Sequence, residues 1–98
     1  MSISIIVPCY NEQEALPYFY NAFQELTQTM QQENFELILV NDGSKDATLD
    51  VMKQLAEQDK RITYISFSRN FGKEAAILAG LKYSKGDYVA LMLSLIHI

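Results

Sequence analysis

Cysteine and histidine are each present once in the 98 residues, and that scarcity removes several chemistries at the outset. The single Cys9 makes no disulfide within the chain and supplies no cysteine metal cluster. It is expected to be a small packed residue, with a catalytic thiol as the lesser alternative. The single His97 has no partner ligands, so one imidazole makes no metal site, and no Ser/His/Asp arrangement is visible. Positive charge is also short: 8 Lys and Arg against 12 Asp and Glu leave a net charge of -4. That balance argues against a general affinity for nucleic acid, which needs a basic footprint. Long apolar runs are missing too, since nothing approaches the ~18 residues of a membrane-spanning helix. The first residues carry no basic segment and are soon interrupted by polar ones, so no secretory signal is expected. Together with the cysteine count this points to the cytosol. Glycine is absent where phosphate loops need it, and neither the Walker pattern nor the dinucleotide fingerprint follows any strand. A phosphoreceiver domain would need paired acids after its first strand, where Pro8-Cys9-Tyr10 stands instead.

The centre of what is present is Leu37-Ile38-Leu39-Val40-Asn41-Asp42-Gly43-Ser44-Lys45-Asp46. An unbroken apolar run fits a strand buried on both faces, as in a parallel sheet with helices above and below. Ligands of such sheets sit just beyond the carboxyl ends of the strands, where Asp42 falls. Asp42 reads as a carboxylate that grips a ligand; the plainer alternative is an Asp-Gly turn.

Around it the chain alternates. Ser2 to Pro8 is rich in β-branched residues and predicts a first strand, ended by Pro8, which lacks an N–H. Leu16, Phe19, Tyr20, Phe23, Leu26 and Met30 recur at helical spacing and predict one apolar stripe lying on the sheet. Phe35 to Val40 is the second strand. Asp46 is the expected N-cap of a second helix, whose buried face is Leu49, Met52, Leu55 and Ala56. The charged stretch Glu57 to Arg61 is expected to be a solvated helix end and turn. Ile62 to Phe67 is a third strand, Lys73 to Tyr83 a third helix with small residues (Ala75, Ala76, Ala79, Gly80) for close packing, and Tyr88 to Met92 the start of a fourth strand. Lys82 and Lys85 suit the negative end of the third helix, and Gly86 its left-handed stop. This β-α-β-α-β-α-β order with short connections predicts one α/β domain, or a piece of a larger one, with a parallel sheet and helices on both faces.

In a parallel sheet the loops after the first three strands emerge on one edge. They carry Tyr10-Asn11-Glu12, Asn41-Asp42-Gly43 and Arg69-Asn70, followed by Lys73. Carboxylates there accept from the N–H and hydroxyl groups of a base or ribose, while Arg69 and Lys73 suit a phosphate. The third helix aims its positive end at the same edge. A nucleotide meets all of these demands. Each residue also has a plain alternative: Glu12 as a first-turn helix charge, Lys73 as a solvated helix residue, Arg69 as a salt-bridge partner of an acid.

Three blocks, Ile5-Ile6-Val7-Pro8-Cys9-Tyr10-Asn11-Glu12, Val40-Asn41-Asp42-Gly43-Ser44-Lys45-Asp46-Ala47-Thr48 and Ser68-Arg69-Asn70-Phe71-Gly72-Lys73-Glu74, resemble glycosyltransferase family 2. The similarity is greatest to its bacterial polyprenyl-phosphate branch, which is similar to dolichol-phosphate mannose synthase. The resemblance spans about Ser2 to Met92 and only the opening part of a family member. It implies a Rossmann-like sheet forming the N-terminal, nucleotide-sugar-binding half of a GT-A fold. Substrate-binding residues implied by the matched blocks are Pro8, Tyr10, Asn11, Glu12, Asp42, Gly43, Ser44, Arg69 and Lys73. Pro8, Tyr10 and Glu12 would line the base and ribose pocket, Asp42 would accept from a base N–H, and Lys73 would lie near the base or diphosphate. The implied donor is a UDP-sugar, the implied acceptor a polyprenyl phosphate, and the implied reaction an inverting transfer aided by a divalent metal, Mg or Mn. The implied place of the full-length protein is the cytoplasmic face of the cell membrane, reached through later segments.

One departure stands out. The family pattern calls for an Asp-x-Asp metal motif after the fourth strand, but Leu93-Ser94-Leu95-Ile96-His97-Ile98 follows Met92. That hexapeptide resembles the in-frame translation of a transposase adaptor from sequencing libraries. The expectation is therefore a partial catalytic domain over residues 1–92, a non-native tail over 93–98, and no turnover from the chain alone. A genuine apolar strand end is the alternative for the tail, and a non-catalytic nucleotide-binding module the alternative for the whole.

Overall fold

A computed structural model describes residues 1–92; the expected tail, 93–98, lies outside the described residues. The order is β1 (Ser2–Cys9), α1 (Ala15–Thr29), β2 (Asn34–Asn41), α2 (Thr48–Gln58), β3 (Ile62–Ser66), α3 (Lys73–Tyr83) and β4 (Tyr88–Leu91). The strands line up as β3-β2-β1-β4, and every neighbouring pair is parallel.

The period of two along a strand explains the unbroken apolar run. Leu37 and Leu39 of β2 join Ile5, Val7 and Cys9 of β1 on one face, packed with Leu16, Phe19, Tyr20 and Phe23 of α1 and Met52 and Leu55 of α2. Ile6, Ile38 and Val40 point to the other face and meet Ala76 of α3. With both faces covered, Leu37, Ile38, Leu39 and Val40 are all 0% exposed. Gly80 lets α3 sit against the sheet, because a Cβ there would stand 2.4 Å from Ile6 Cγ2. Pro8 fits inside β1 for a reason of parity. Ile6 accepts the Met92 N–H, so its backbone serves the β4 side, and Pro8, two residues on, turns its missing donor the same way, beyond the Ile6–Leu91 pair.

Four expectations need correction. Gly86 is not a left-handed helix stop: α3 ends at Ser84 in an extended conformation. Gly86 is small because a Cβ would meet the Ser4 nitrogen and Oγ at 2.7 Å, and its N–H donates to Ser4 Oγ at 2.8 Å. The apolar stripe of α1 outlasts its sheet, leaving Leu26 and Met30 exposed. The stretch at Glu57 to Arg61 is more than a solvated turn. Arg61 donates from Nε and Nη2 to the Asp59 carboxylate at 2.9 and 2.6 Å, Tyr20 donates its hydroxyl to the same group at 3.0 Å, and the guanidinium lies 4.8 Å over the Phe23 ring. Finally, α2 begins at Thr48 with Ala47 in the cap position, although Asp46 Oδ1 does accept the Thr48 N–H at 3.0 Å.

Candidate functional site

The strand order brings the three polar loops together at the carboxyl edge, with the β2 loop between the other two. A first set of bonds joins the β1 and β2 loops. Asn11 adopts a positive φ of 54°, a conformation asparagine tolerates better than most residues. Its N–H donates to Ser44 Oγ at 2.9 Å, and its Oδ1 accepts the Lys45 N–H at 2.8 Å. Glu12 N–H donates to Thr48 Oγ1 and Ala47 N–H to Gln13 Oε1, both at 2.8 Å. Asn41 ties its own loop down by accepting the Ser44 N–H at 3.0 Å while donating to Ser66 Oγ at 3.1 Å.

A second set joins β2 to the loop before α3. Asp42 is 4% exposed, and its carboxylate is occupied from within the chain. Oδ1 accepts the Phe71 N–H at 2.8 Å, and the Gly72 N–H reaches Oδ1 at 3.3 Å and Oδ2 at 3.1 Å. Asn70 Nδ2 donates to the Asp42 carbonyl at 3.2 Å. Gly43, at φ +70°, lets the two loops touch, since a Cβ would come 2.2 Å from the Arg69 carbonyl carbon. The anion expected at the positive end of α3 is thus, in the first place, Asp42 itself.

The remaining charges are more open. Burial and then the charge of Asp46 raise the Glu12 carboxyl above its ordinary range. Burial also pushes Asp46 up, but hydrogen bonds from the Thr48 hydroxyl and backbone and from Gln13 outweigh it and lower that carboxyl overall. Glu12 and Asp46 line one cleft of about 550 Å³ with Asn11, Gln13, Glu14 and Ala15. Among the described residues Arg69 has no acid partner; its guanidinium lies 4.6 Å over the Phe71 ring, which Phe67 braces edge-on at 5.6 Å. Lys73 is exposed as the first residue of α3. Cys9 is buried and pushed up to about 12, by burial first and then by Glu12, which leaves the thiol protonated and inert.

All nine residues singled out in the sequence lie on or beside this edge, Pro8 half-buried and Tyr10 exposed. They do not all face outward as ligand groups: Asn11, Asp42 and Ser44 are woven into the loop-to-loop bonds. Sequence reasoning missed Gln13, Thr48 and Phe71, and it placed Asn41 on the edge without its bonds to Ser44 and Ser66. A signal existed for Thr48, two residues after a capping aspartate; Phe71 offered none, because its role is to carry Arg69. Among the described residues no three His, Cys, Asp or Glu side chains come together to hold a metal ion. Among the described residues, too, no helix is long and apolar enough to cross a membrane.

The chain is similar in sequence and in fold to known proteins. A bactoprenol glucosyl transferase of Shigella phage SfV is 46% identical over 89 residues, 91% of this chain and 29% of its own. A prophage bactoprenol glucosyl transferase homolog of Escherichia coli K12 is 45% identical over 89 residues, again 91% of this chain and 29% of its own. The chain therefore spans less than a third of the length of these curated relatives. In fold it is similar to the TarS fragment 1–349 of S. aureus solved with UDP (TM-score 0.69, 24% identity, 96% of this chain and 27% of that one). It is likewise similar to a mannosyltransferase of Pyrobaculum calidifontis solved with GDP-Man and Mn2+ (TM-score 0.66, 22% identity, 89% and 25%). These neighbours are GT-A glycosyltransferases, and the four-stranded parallel sheet is the Rossmann-like part of that fold. The model of glycosyl transferase family 2 matches residues 4–92, and the chain belongs to that family.

Proposed function

We propose that this chain is the donor-binding part of a glycosyltransferase that moves a sugar from a nucleotide-sugar, specifically a UDP-sugar, to a polyprenyl phosphate. The observation that carries the reading is the edge where three loops meet, with carboxylates at its centre and Arg69 and Lys73 beside them. The names of the relatives support the acceptor, and structural neighbours solved with UDP and with GDP-Man support a nucleotide-sugar donor. Pro8, Tyr10 and Glu12 line the base and ribose pocket. Asn11, Gly43 and Ser44 hold its floor. Asp42 accepts a base N–H with the lone pairs its backbone partners leave free, and Arg69 and Lys73 meet the diphosphate.

In the whole protein an oxygen of the acceptor phosphate attacks the anomeric carbon. A new carbon–oxygen bond forms as the bond to the donor diphosphate breaks, and the configuration inverts. The acceptor is already ionised, so little general-base work is required. A divalent ion, Mg or Mn, would neutralise the charge of the leaving diphosphate. The working place of the whole protein is the cytoplasmic face of the cell membrane, reached by segments outside the described residues.

Calorimetric titration of the chain with UDP tests the donor-binding reading. Saturable binding of one UDP per chain is expected, and a flat titration with both UDP and GDP refutes it. A glycosyl-transfer assay with the chain alone is expected to give no product.

A further inference from the structure

Asp42 reaches the two cations of the site without touching either. The Phe71 N–H and the Gly72 N–H end on its carboxylate, at 2.8 Å and at 3.1 Å. Asn70 is fixed to its carbonyl at 3.2 Å. The backbone of Arg69 and Asn70 rests on the neighbouring Gly43, where a Cβ would approach to 2.2 and 2.3 Å. Asn70, Phe71 and Gly72 are therefore held by Asp42, and the backbone of Arg69 lies against Gly43. Phe71 carries the Arg69 guanidinium on its ring at 4.6 Å, and Lys73 follows Gly72 directly. Among the described residues neither Arg69 nor Lys73 is in a salt bridge, so their placement comes from the anchored backbone.

We propose that Asp42 is a positioning residue for diphosphate recognition: its carboxylate fixes the loop that presents Arg69 and Lys73, and thereby sets how strongly the site prefers a nucleoside diphosphate to the bare nucleoside. The proposal rests on the donor-binding reading above. It adds that one acidic side chain links the base end of the site to its phosphate end, so binding at one end steadies the other.

The test compares the wild-type chain with Asp42→Ala, Asp42→Asn and Arg69→Ala. Affinities for UDP and for uridine are measured by calorimetry, and amide exchange by NMR. The wild type should prefer UDP. Asp42→Ala should speed exchange at Phe71 and Gly72 by about tenfold or more, as loss of a charge-assisted bond implies, with Ile38 and Val40 unchanged. It should also lower the preference for UDP over uridine to the level of Arg69→Ala. Asp42→Asn keeps one acceptor oxygen and should fall between. Unchanged exchange in Asp42→Ala overturns the proposal. So does faster exchange with the UDP preference intact, which would make the contact a structural tie only. Equal loss of UDP and uridine would assign Asp42 to the base alone and overturn it as well. If Asp42→Ala does not fold, Asp42→Asn must show the partial effect and Arg69→Ala must weaken UDP without weakening uridine, or the proposal fails. A wild type that binds neither compound sinks the donor-binding reading itself, and that result is distinct from the others.

Discussion

Replacing Gly43 by alanine probes the contact on which the site is assembled. The new Cβ would stand 2.2 Å from the Arg69 carbonyl carbon and 2.3 Å from the Asn70 nitrogen, against an ordinary contact that begins at 3.4 Å. Both neighbours are backbone, so no side chain swings clear, and one loop must retreat by about 1.2 Å, the difference between those contacts. A like displacement carries the 2.8 Å bond from Phe71 to Asp42 out to about 4 Å, beyond hydrogen-bonding range. Holding alanine at the φ of +70° costs about 1–2 kcal/mol, and losing one charge-assisted bond costs about 1.5–3 kcal/mol. The expected loss is about 2.5–5 kcal/mol from a domain stability of about 5–15 kcal/mol. Urea unfolding followed by circular dichroism measures it, and a UDP titration follows the site. Gly72→Ala is the control: φ there is +102°, but no atom lies within 4 Å of the added carbon. Its effect is backbone strain without a clash, about 1–3 kcal/mol, with the contact at Gly43 left in place. A Gly43→Ala chain that loses under about 1 kcal/mol, or that binds UDP as the wild type does, refutes the reasoning.

Two further outcomes follow from titratable groups outside the proposed binding set. The Arg61 guanidinium, with further bonds from the Arg61 N–H and Tyr20, holds the Asp59 carboxyl down at about 2, against an ordinary 3.8. A depressed folded value means stability that is fully present above the unfolded pKa and lost as pH falls through the folded one. Asp59 should therefore contribute about 1–2 kcal/mol at neutral pH, fading between pH 4 and 2, and Asp59→Asn should flatten that limb of a urea-unfolding series; identical pH dependence in both chains refutes it. Cys9, raised to about 12 and buried, should react with a disulfide reagent at pH 8 only as fast as the native chain opens, and rapid labelling of the folded chain would contradict its placement.

The fold was legible because its signals are local. An apolar run of four residues in β2, a helical stripe beginning at Leu16 and a cluster of small residues in α3 each announce a period, and periods survive in one dimension. The site residues were legible as a set because parallel strands send their loops to one edge. Their roles were less so. Asp42 and Ser44 read as ligand groups, yet both spend hydrogen bonds on other loops, with partners 29 residues ahead at Phe71 and 33 residues behind at Asn11. Nothing in the local sequence names such a partner. Gly86 misled for a similar reason: its place after a helix suggests a stop, and only the packing of Ser4 beneath it reveals the need for a bare backbone. Asp59 and Arg61 looked like two charges in a solvated turn because Tyr20 and Phe23, which complete the cluster, lie a helix away.

The position of β1 has a consequence for the order in which the molecule assembles. In the finished sheet β1 is interior, flanked by β2 and β4. During synthesis its two partners arrive at very different times. Its contacts with β2 span 32 residues, as in Ser4 to Glu36, whereas the bond from Ser2 to Asp87 spans 85. Closing the longer loop carries the greater entropic burden, so β4 docks late and one flank of β1 stays an open edge for most of the chain's emergence. Such edges recruit other strands. On that flank β1 carries Pro8, which lacks a donor for any ladder. A proline that looks out of place in an interior strand thus suits the time that strand spends as an edge.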